Sequence, residues 1–258
     1  MQSEKFSYTN VVYLVRKIVV SRYCMKLTTN ILTFLFLILT ISSYGQDEKR
    51  KNYFPIWTFH QDSINIHGIS VGLWTFNSEP PRFTNTNGIK VELIGIGIPL
   101  LLMPRSPIVE TDSAFVKLEQ KPLSEKINGL NLSLSGTACH CLTNGLTAGL
   151  IGQIHFQVNG ISISIFGNST QKHNGVMAAI SNEAYYMNGL QVGLFNSGYK
   201  TKGVQLGIIG NYADEMKGLQ IGLSNISKKL KGIQIGLWNV NQKRKLPFIN
   251  WNFEEDTE

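Results

Sequence analysis

Charged residues are scarce in this chain of 258 residues: Lys, Arg, Asp and Glu make up only 16% of it, whereas soluble domains average about 25%. The hydrophobic share, 43%, is ordinary. Together these fractions exclude an intrinsically disordered chain and a helical protein with many membrane spans. Without residues 1–45, the formal net charge falls from +7 to +3. A charge of +3 offers no electrostatic reason to expect nucleic acid as a partner.

Long hydrophobic runs are also missing, apart from the 11 residues of Ile31–Ile41. This run is shorter than the roughly 20 residues that a membrane-spanning helix needs. It follows a basic start at Met25, and Ser43–Gly45 places small residues before a cleavage point, which is typical of a secretory signal peptide. We therefore expect residues 1–45 to be a leader, with translation from Met25, a signal peptide over 25–45 and a cut after its last residue. An uncleaved anchor helix is the alternative.

Cysteine is rare as well, since only Cys139 and Cys141 follow the leader. Residues two apart on a regular strand have Cα atoms near the 7 Å limit for bridging, so we expect no structural disulfide. The two thiols are a weak candidate metal or redox site, because His140 between them would point to the opposite side. A β-bulge, which the 16-residue length of this unit allows, would be needed to bring all three together. His155 and His173 are expected two or more units away, so we predict no metal and no cofactor.

A glycine-punctuated repeat dominates the chain. The segment Gly-Leu-Gln-Val-Gly-Leu-Phe-Asn at 189–196 recurs nearly unchanged from Gly218 and Gly232, and with one inserted residue from Gly203. Looser copies begin at Gly68, Gly88, Gly129, Gly145, Gly160 and Gly175. From the third of these onward the copies start 14–16 residues apart, which indicates one supersecondary unit stacked on itself.

Within each unit, aliphatic residues alternate with other residues, which predicts a strand with one buried face. In the last unit Ile233, Ile235 and Leu237 share one face, whereas Gln234 and Gly236 share the other. We assign the aliphatic residues, about thirty over all the units, to the interior, because burying apolar surface drives folding. At both ends of the strand the alternation slips by one residue, which predicts a two-residue corner rich in Gly or Asn and a second, shorter strand.

The glutamines of successive units should align into a ladder on the outer face. This ladder is a candidate binding strip for a ligand or glycan, with simple solvation as the alternative. Its members are Gln191, Gln205, Gln220 and Gln234.

The predicted fold class is all-β: a repeat protein of ten units of 14–20 residues, closed as a β-solenoid or β-roll. The alternative closure is an antiparallel meander forming a small outer-membrane β-barrel. Three alternating aliphatic residues span only about 13 Å before tilt, roughly half the apolar band of about 25 Å that such a barrel needs. The solenoid is therefore the favoured closure.

The predicted organisation has three parts after the leader. Residues 46–128 form an amino-terminal β region with two divergent repeats and a long loop over 97–122. Residues 129–245 hold eight tandem β repeats. Residues 246–258 form a carboxy-terminal cap and an acidic tail, because terminal coils of a solenoid need covers for their open strand edges.

Two sequence patterns resemble those of a known family. The tandem Gly-Leu-Gln-Ile-Gly-Leu-x-Asn units and the closing segment Gly-Leu-Trp-Asn-Val-Asn-Gln-Lys-Arg-Lys-Leu-Pro-Phe-Ile-Asn-Trp-Asn-Phe at 236–253 are similar to bacterial surface-repeat proteins, an uncharacterised family of secreted or envelope-exposed chains. The resemblance covers 129–253. It implies a location in the periplasm, outer membrane or cell surface, and it supplies no catalytic residues.

One apparent catalytic motif has a simpler explanation. Gly68-Ile-Ser70-Val-Gly72 matches the Gly-x-Ser-x-Gly elbow of hydrolases, which requires a strand, a tight turn and a helix. Here Ser70 occupies the glutamine position of the repeat, and no helical pattern follows. We therefore expect no enzyme, with a hydrolase using Ser70 as the remote alternative.

Basic residues recur in the linking stretches and should form a ridge along the stack, whose expected role is solubility. They are Lys200, Lys202, Lys217, Lys228, Lys229, Lys231, Lys243, Arg244 and Lys245. The sequence thus predicts a non-catalytic, exported surface repeat protein that serves as a structural or binding scaffold. Its partner is unknown, and envelope polymers, surface ligands and membrane association are left open. An outer-membrane pore or embedded scaffold is the alternative.

Overall fold

The computed structural model describes residues 50–75, 81–97 and 106–254, which fall within one compact unit, Lys49–Glu258. The predicted leader, signal peptide and cleavage point lie outside the described residues, as do the last four residues of the acidic tail. In the described ranges, no helix has both the length and the apolar character needed to cross a membrane.

Ten strands and one helix make up the described chain. They are β1 (Lys51–Tyr53), β2 (Ile56–Thr58), β3 (Ile64–Gly72), β4 (Thr84–Glu92), α1 (Asp112–Glu119), β5 (Glu125–Ser133), β6 (Ala138–Gly149), β7 (Gly152–Ser164), β8 (Gly167–Ala178), β9 (Ser181–Val240) and β10 (Lys245–Asn252). The strand β9 is 60 residues long because it runs through the last four repeats without a break.

Neighbouring units pair in parallel, one directly above the next. From β3 through β9 each strand is hydrogen-bonded to its successor in the chain. The register aligns the repeat glycines, so that Gly145 lies opposite Gly160, which lies opposite Gly175. The protein is a stacked parallel β-solenoid of about nine turns. The favoured fold prediction is confirmed, and the antiparallel meander, the alternative closure, is wrong.

The repeat glycines form the corner that the sequence predicted. At Gly218, φ is +137°, and a Cβ atom there would lie 2.0 Å from the carbonyl oxygen of Gly203 in the coil before. Only glycine combines this backbone conformation with so close an approach of the neighbouring chain. The other glycines of the column have φ values of 126–153°, so the same corner recurs at every coil.

The predicted assignment of inside and outside is wrong. Gln234 is 0% exposed, whereas Ile235 is 40% and Leu237 is 60% exposed. The coil is narrow, and a glutamine amide inside it can bond both to the next coil and to the opposite wall. The Gln234 Nε2 donates to Gln220 Oε1 at 2.8 Å and to the Val240 carbonyl oxygen at 2.9 Å. Gln220 is bonded through both amide atoms, because its Nε2 also donates to Gln205 Oε1 at 2.7 Å. A buried amide that is satisfied in this way costs little.

A second ladder of asparagines runs beside the glutamines. In each step the Nδ2 of one asparagine donates to the Oδ1 of the next, over 2.7–3.3 Å. Its members are Asn168, Asn182, Asn196, Asn211, Asn225 and Asn239. Small apolar clusters fill the rest of the interior, for example Ala213, Met216 and Leu230. The interior is therefore partly a hydrogen-bonded stack.

Part of the predicted long loop is helical. Helix α1 lies within 97–122, of which 98–105 are outside the described residues. Thr111 caps the helix, since its hydroxyl accepts from the Ala114 N–H at 3.2 Å. Phe115 is buried against Tyr185, with ring centroids 5.0 Å apart. This aromatic contact holds the helix on the solenoid, and sequence reasoning missed it because the flanking prolines obscured so short a helix.

Strand β10 covers the last coil and runs in the opposite direction. Ile249 pairs with Ile235 and Trp251 pairs with Ile233. The register shifts between Leu246 and Phe248. The final parallel strand therefore has its outer edge covered by the chain itself.

Candidate functional site

The most extended surface feature is one flat side of the solenoid, which we call the outer aliphatic face. It consists of the second, fourth and sixth residues of the ten units, counted from each repeat glycine, from Ile69 to Leu237. All thirty positions are Ile, Leu, Val or Ala, and none of them is buried. Soluble monomers rarely expose contiguous apolar patches larger than a few hundred Å², so a face of this kind marks an interaction surface.

A ridge and the grooves beside it run along the outer aliphatic face, in the direction of the stack. The ridge formed by the sixth residues is the most exposed part, reaching 68% at Ile208. Beside it lie a groove of about 530 Å³ with Leu132 and Leu134 in its walls and another of about 480 Å³ that includes Val192. Trp251 of β10 lies beside Ile233 and extends the same face. The ridge and the grooves thus follow the columns of the repeat.

The opposite side of the solenoid carries charge instead. Lys200 donates to Asp112 of helix α1 at 2.8 Å, and this hydrogen bond holds the Asp112 pKa below its ordinary value. Lys228 lies 2.9 Å from Asp214. The predicted basic ridge is therefore partly neutralised by acids on the same side, and the molecule has one charged and one aliphatic face.

The predicted glutamine strip exists as a ladder but cannot serve as an exposed binding surface. Gln191, Gln205, Gln220 and Gln234 are all 0% exposed. Their amides bond to one another and to backbone carbonyls within the coil, as in the donation from Gln205 Nε2 to Gln191 Oε1 at 2.8 Å. The ladder prediction is confirmed, and its placement on the outside is wrong for the reason given above.

Ser70 lies inside the solenoid. It is 0% exposed and belongs to the extended strand β3, which continues to Gly72 and pairs with β4 in parallel. A nucleophile elbow needs a sharp turn after the serine that presents the hydroxyl to solvent. The backbone at Ser70 has the geometry of the repeat, in which serine takes the glutamine position.

The two cysteines form a disulfide, contrary to the prediction. Cys139 and Cys141 have Cα atoms 5.2 Å apart, within the range that a disulfide bridges. The reason is a β-bulge. Cys139 pairs with His155 and Leu142 pairs with Gln157, so His140 and Cys141 together lie opposite a single residue, Phe156. The bulge that the 16-residue unit allows is therefore present.

A buried imidazole completes what we call the thiol cluster: Cys139, Cys141 and His155. The Nδ1 of His155 lies 3.1 Å from the sulfur of Cys141 and 3.8 Å from that of Cys139. The three potential ligand atoms lie within 4.8 Å of one another. Burial lowers the pKa of His155 to about 3. The expectation that His155 lies two or more units from the cysteines was wrong, because residues one repeat apart in sequence are only one strand spacing apart in space.

The other histidines take no part in this cluster. His140 faces outward and packs against the ring of Phe156, with the centroids 4.5 Å apart and the ring planes tilted by 47°. His173 is 0% exposed in a later coil, and burial lowers its pKa to about 4.

A buried ion cluster was missed by sequence reasoning. The Lys90 ammonium is 0% exposed and contacts Glu125 at 2.5 Å, Glu92 at 3.2 Å and the Thr75 hydroxyl at 2.6 Å. It also lies 4.4 Å from the centre of the Phe59 ring. Burial raises the pKa of Glu125. The sequence signal was the substitution of lysine at the glutamine position of the Gly88 unit, which becomes informative only once that position is known to face inward.

No protein-family model, no curated protein and no solved structure matches the chain. The resemblance to bacterial surface-repeat proteins therefore stays a prediction that rests on the repeat itself.

Proposed function

We propose that the protein is a non-catalytic, exported scaffold of the bacterial cell envelope, which assembles with a second copy of itself through the outer aliphatic face. The single observation that carries the proposal is that face: thirty aliphatic positions in three columns, none of them buried and none charged. The predicted leader over 1–45 and the resemblance of the repeats to bacterial surface-repeat proteins support export to the envelope.

The dimensions of the outer aliphatic face suit a stable dimer. About nine turns at about 4.8 Å each, and six strand residues at about 3.3 Å each, give a face of about 850 Å². A stable interface buries about 800 Å² on each partner. One face of this size is sufficient for a second copy without any further contact.

The shape of the face also favours a second copy over a partner of unrelated shape. The side chains within each column repeat at the spacing of the coils, and a second copy has the same spacing. Two such faces can pack as stacked sheets do, about 10 Å apart with interdigitating side chains. The charged sides of both copies then face water, which keeps the assembly soluble.

Sedimentation of the purified chain tests the assembly. The wild-type chain should sediment as a dimer, and Ile208→Lys should sediment as a monomer because it places a charge on the most exposed ridge of the interface. Glu215→Lys introduces the same side chain on the opposite face and should remain a dimer. A monomeric wild-type chain that floats with phosphatidylcholine vesicles would overturn the second copy in favour of a lipid surface.

Export is tested separately. Cells that express the full chain should release or display a product whose first residue is Gln46. Retention of the whole chain in the cytoplasm would contradict the envelope scaffold while leaving self-association through the face intact.

A further inference from the structure

We propose that the thiol cluster, in its reduced form, is a binding site for a divalent d¹⁰ cation of the zinc class, with Cys139, Cys141 and His155 as its three protein ligands. The proposal is independent of the envelope function. It rests on how the hydrogen bonds around His155 fix the ring.

The orientation of the Gln153 amide is the first step. Its Nε2 donates to the carbonyl oxygen of Ile163 at 2.7 Å, and a carbonyl oxygen can only accept. The Oε1 of Gln153 must therefore be the atom that faces His155 and Thr147. The hydroxyl of Thr147 makes a close contact with this Oε1, which places the hydroxyl hydrogen between those two oxygens.

The tautomer of His155 follows from those neighbours. Its Nε2 lies 3.3 Å from Gln153 Oε1 and 3.3 Å from the Thr147 hydroxyl oxygen. The first can only accept, and the second has already directed its hydrogen elsewhere. The Nε2 therefore carries the ring hydrogen, and the Nδ1 presents a bare lone pair.

That lone pair faces the two sulfurs. In the disulfide neither sulfur carries a hydrogen, so neither can donate a hydrogen bond to the Nδ1 of His155. Because the ring is only 1% exposed, water does not replace that donor. Reduction provides two thiols, and their thiolates together with the imidazole nitrogen are the ligands that zinc prefers. A hydrogen bond from the far side of a ligating ring is the usual support of such a site, and Gln153 supplies it.

Charge selects the cation. Two thiolates neutralise a divalent ion, and the imidazole adds no charge, so the loaded site is neutral and its burial is not opposed by a net charge. A monovalent ion on the same ligands would leave one negative charge in the interior. The fourth position of a tetrahedral zinc is left to a small exogenous ligand.

The chemistry balances in two steps. A dithiol gives two electrons and two protons to the disulfide of Cys139 and Cys141, whose S–S bond breaks, and the dithiol becomes a cyclic disulfide. Zn²⁺ then displaces the two thiol protons, forms two S–Zn bonds and accepts the lone pair of His155 Nδ1.

Metal titration of the full chain tests the proposal. A trialkylphosphine, which becomes a phosphine oxide with the oxygen of water, reduces the chain without competing for zinc. The reduced chain should bind one equivalent of Zn²⁺, and Co²⁺ in its place should show a thiolate-to-metal charge-transfer band. The oxidised chain should bind neither ion.

Three variants separate the ligands from their surroundings. Cys141→Ser should abolish binding, and Gln153→Leu, which releases the ring tautomer, should weaken it about 10–100-fold. His67→Asn is the matched control, because it replaces an imidazole of β3 outside the thiol cluster, and it should leave the stoichiometry at one. The proposal is overturned if the reduced, folded chain binds no Zn²⁺, if it binds Cu⁺ but not Zn²⁺, if Cys141→Ser binds as tightly as the wild type, or if the folded chain resists reduction altogether.

Discussion

The side-chain amide of Gln220 donates to the Oε1 of Gln205 across 2.7 Å, and its own Oε1 accepts from Gln234 at 2.8 Å. The Nε2 of Gln220 also donates to the backbone carbonyl oxygen of Ile226 at 3.4 Å. One glutamine therefore joins three consecutive coils and both walls of its own coil. Hydrogen bonds of this kind, repeated from Gln191 to Gln234, hold this part of the interior in register.

Replacing a glutamine of the ladder should destabilise the solenoid more than replacing its outward neighbour. In Gln220→Leu the Oε1 of Gln205 loses its donor and the Nε2 of Gln234 loses an acceptor, both inside the coil. Each buried orphan costs about 1–3 kcal/mol, so the free energy of unfolding should fall by several kcal/mol. Urea denaturation, at a protein concentration where the chain is monomeric, measures this.

The matched control is the next residue, Ile221, which lies on the outer aliphatic face and is exposed. Ile221→Gln should change the free energy of unfolding by no more than about 0.5 kcal/mol, as surface substitutions usually do. If Ile221→Gln were the more damaging of the two, the interior would be aliphatic after all.

The glycine column should tolerate no side chain. Gly218→Ala would require a strained φ and would drive the new Cβ against the Gly203 carbonyl oxygen, so we expect a loss of at least about 2–3 kcal/mol and a much lower melting temperature. Gly210 is the matched control, because a Cβ there would meet its nearest neighbour, the Ser224 carbonyl oxygen, at 3.6 Å. Gly210→Ala should be neutral or stabilise the chain by about 0.4–1 kcal/mol. Circular dichroism measures the melting temperatures. Equal values for Gly218→Ala and Gly210→Ala would argue against a corner that requires glycine.

Stability should fall as the pH is lowered from about 6.5 to about 4. Burial is the largest cause that lowers the pKa of His173 from 6.5 to about 4. Between these values the unfolded chain binds a proton that the folded chain excludes, so acid favours unfolding, by about 3 kcal/mol in total for this residue. The contribution is fully present above pH 6.5.

His173→Met removes the titrating group and keeps an apolar side chain in the coil. In denaturation experiments across this pH range, its free energy of unfolding should depend on pH less steeply than that of the wild type, by up to about 1.4 kcal/mol per pH unit. Parallel curves for the two proteins would show that His173 does not carry the effect.

The period of the repeat was sufficient to predict the fold, but the direction of its faces was not. The spacing of glycines such as Gly189, Gly203 and Gly218 predicts stacked coils, and the structure has them. Alternation with a period of two is the same whichever face of the strand is inside. The rule that aliphatic residues are buried therefore decided the assignment, and it placed the wrong face in the interior. A usable signal was present: the inward position is glutamine in each of the last four units, whereas the outward positions vary among Leu, Val and Ile. A ladder needs the same side chain at every level, and an exposed aliphatic column does not.

The thiol cluster could be predicted only in part. The 16-residue length of its unit indicated a bulge, which the structure has between Cys139 and Leu142. The distance between the sulfurs could not be obtained from regular strand geometry, because the bulge shortens it. The approach of His155 required the register between coils, and a single sequence does not provide it with the accuracy that a ligand distance needs.

The reversed direction of β10 has a consequence for growth of the protein along its own axis. The last strand of a parallel stack has unpaired N–H and C=O groups along its outer edge. If that edge were uncovered, the first coil of another molecule could pair with it, and the molecules could join end to end into a fibre. Here the final rung runs the other way and includes Pro247, which has no backbone N–H to give. Strand β10 therefore blocks end-to-end assembly at this edge, and a lengthwise fibre could form there only if β10 were first displaced.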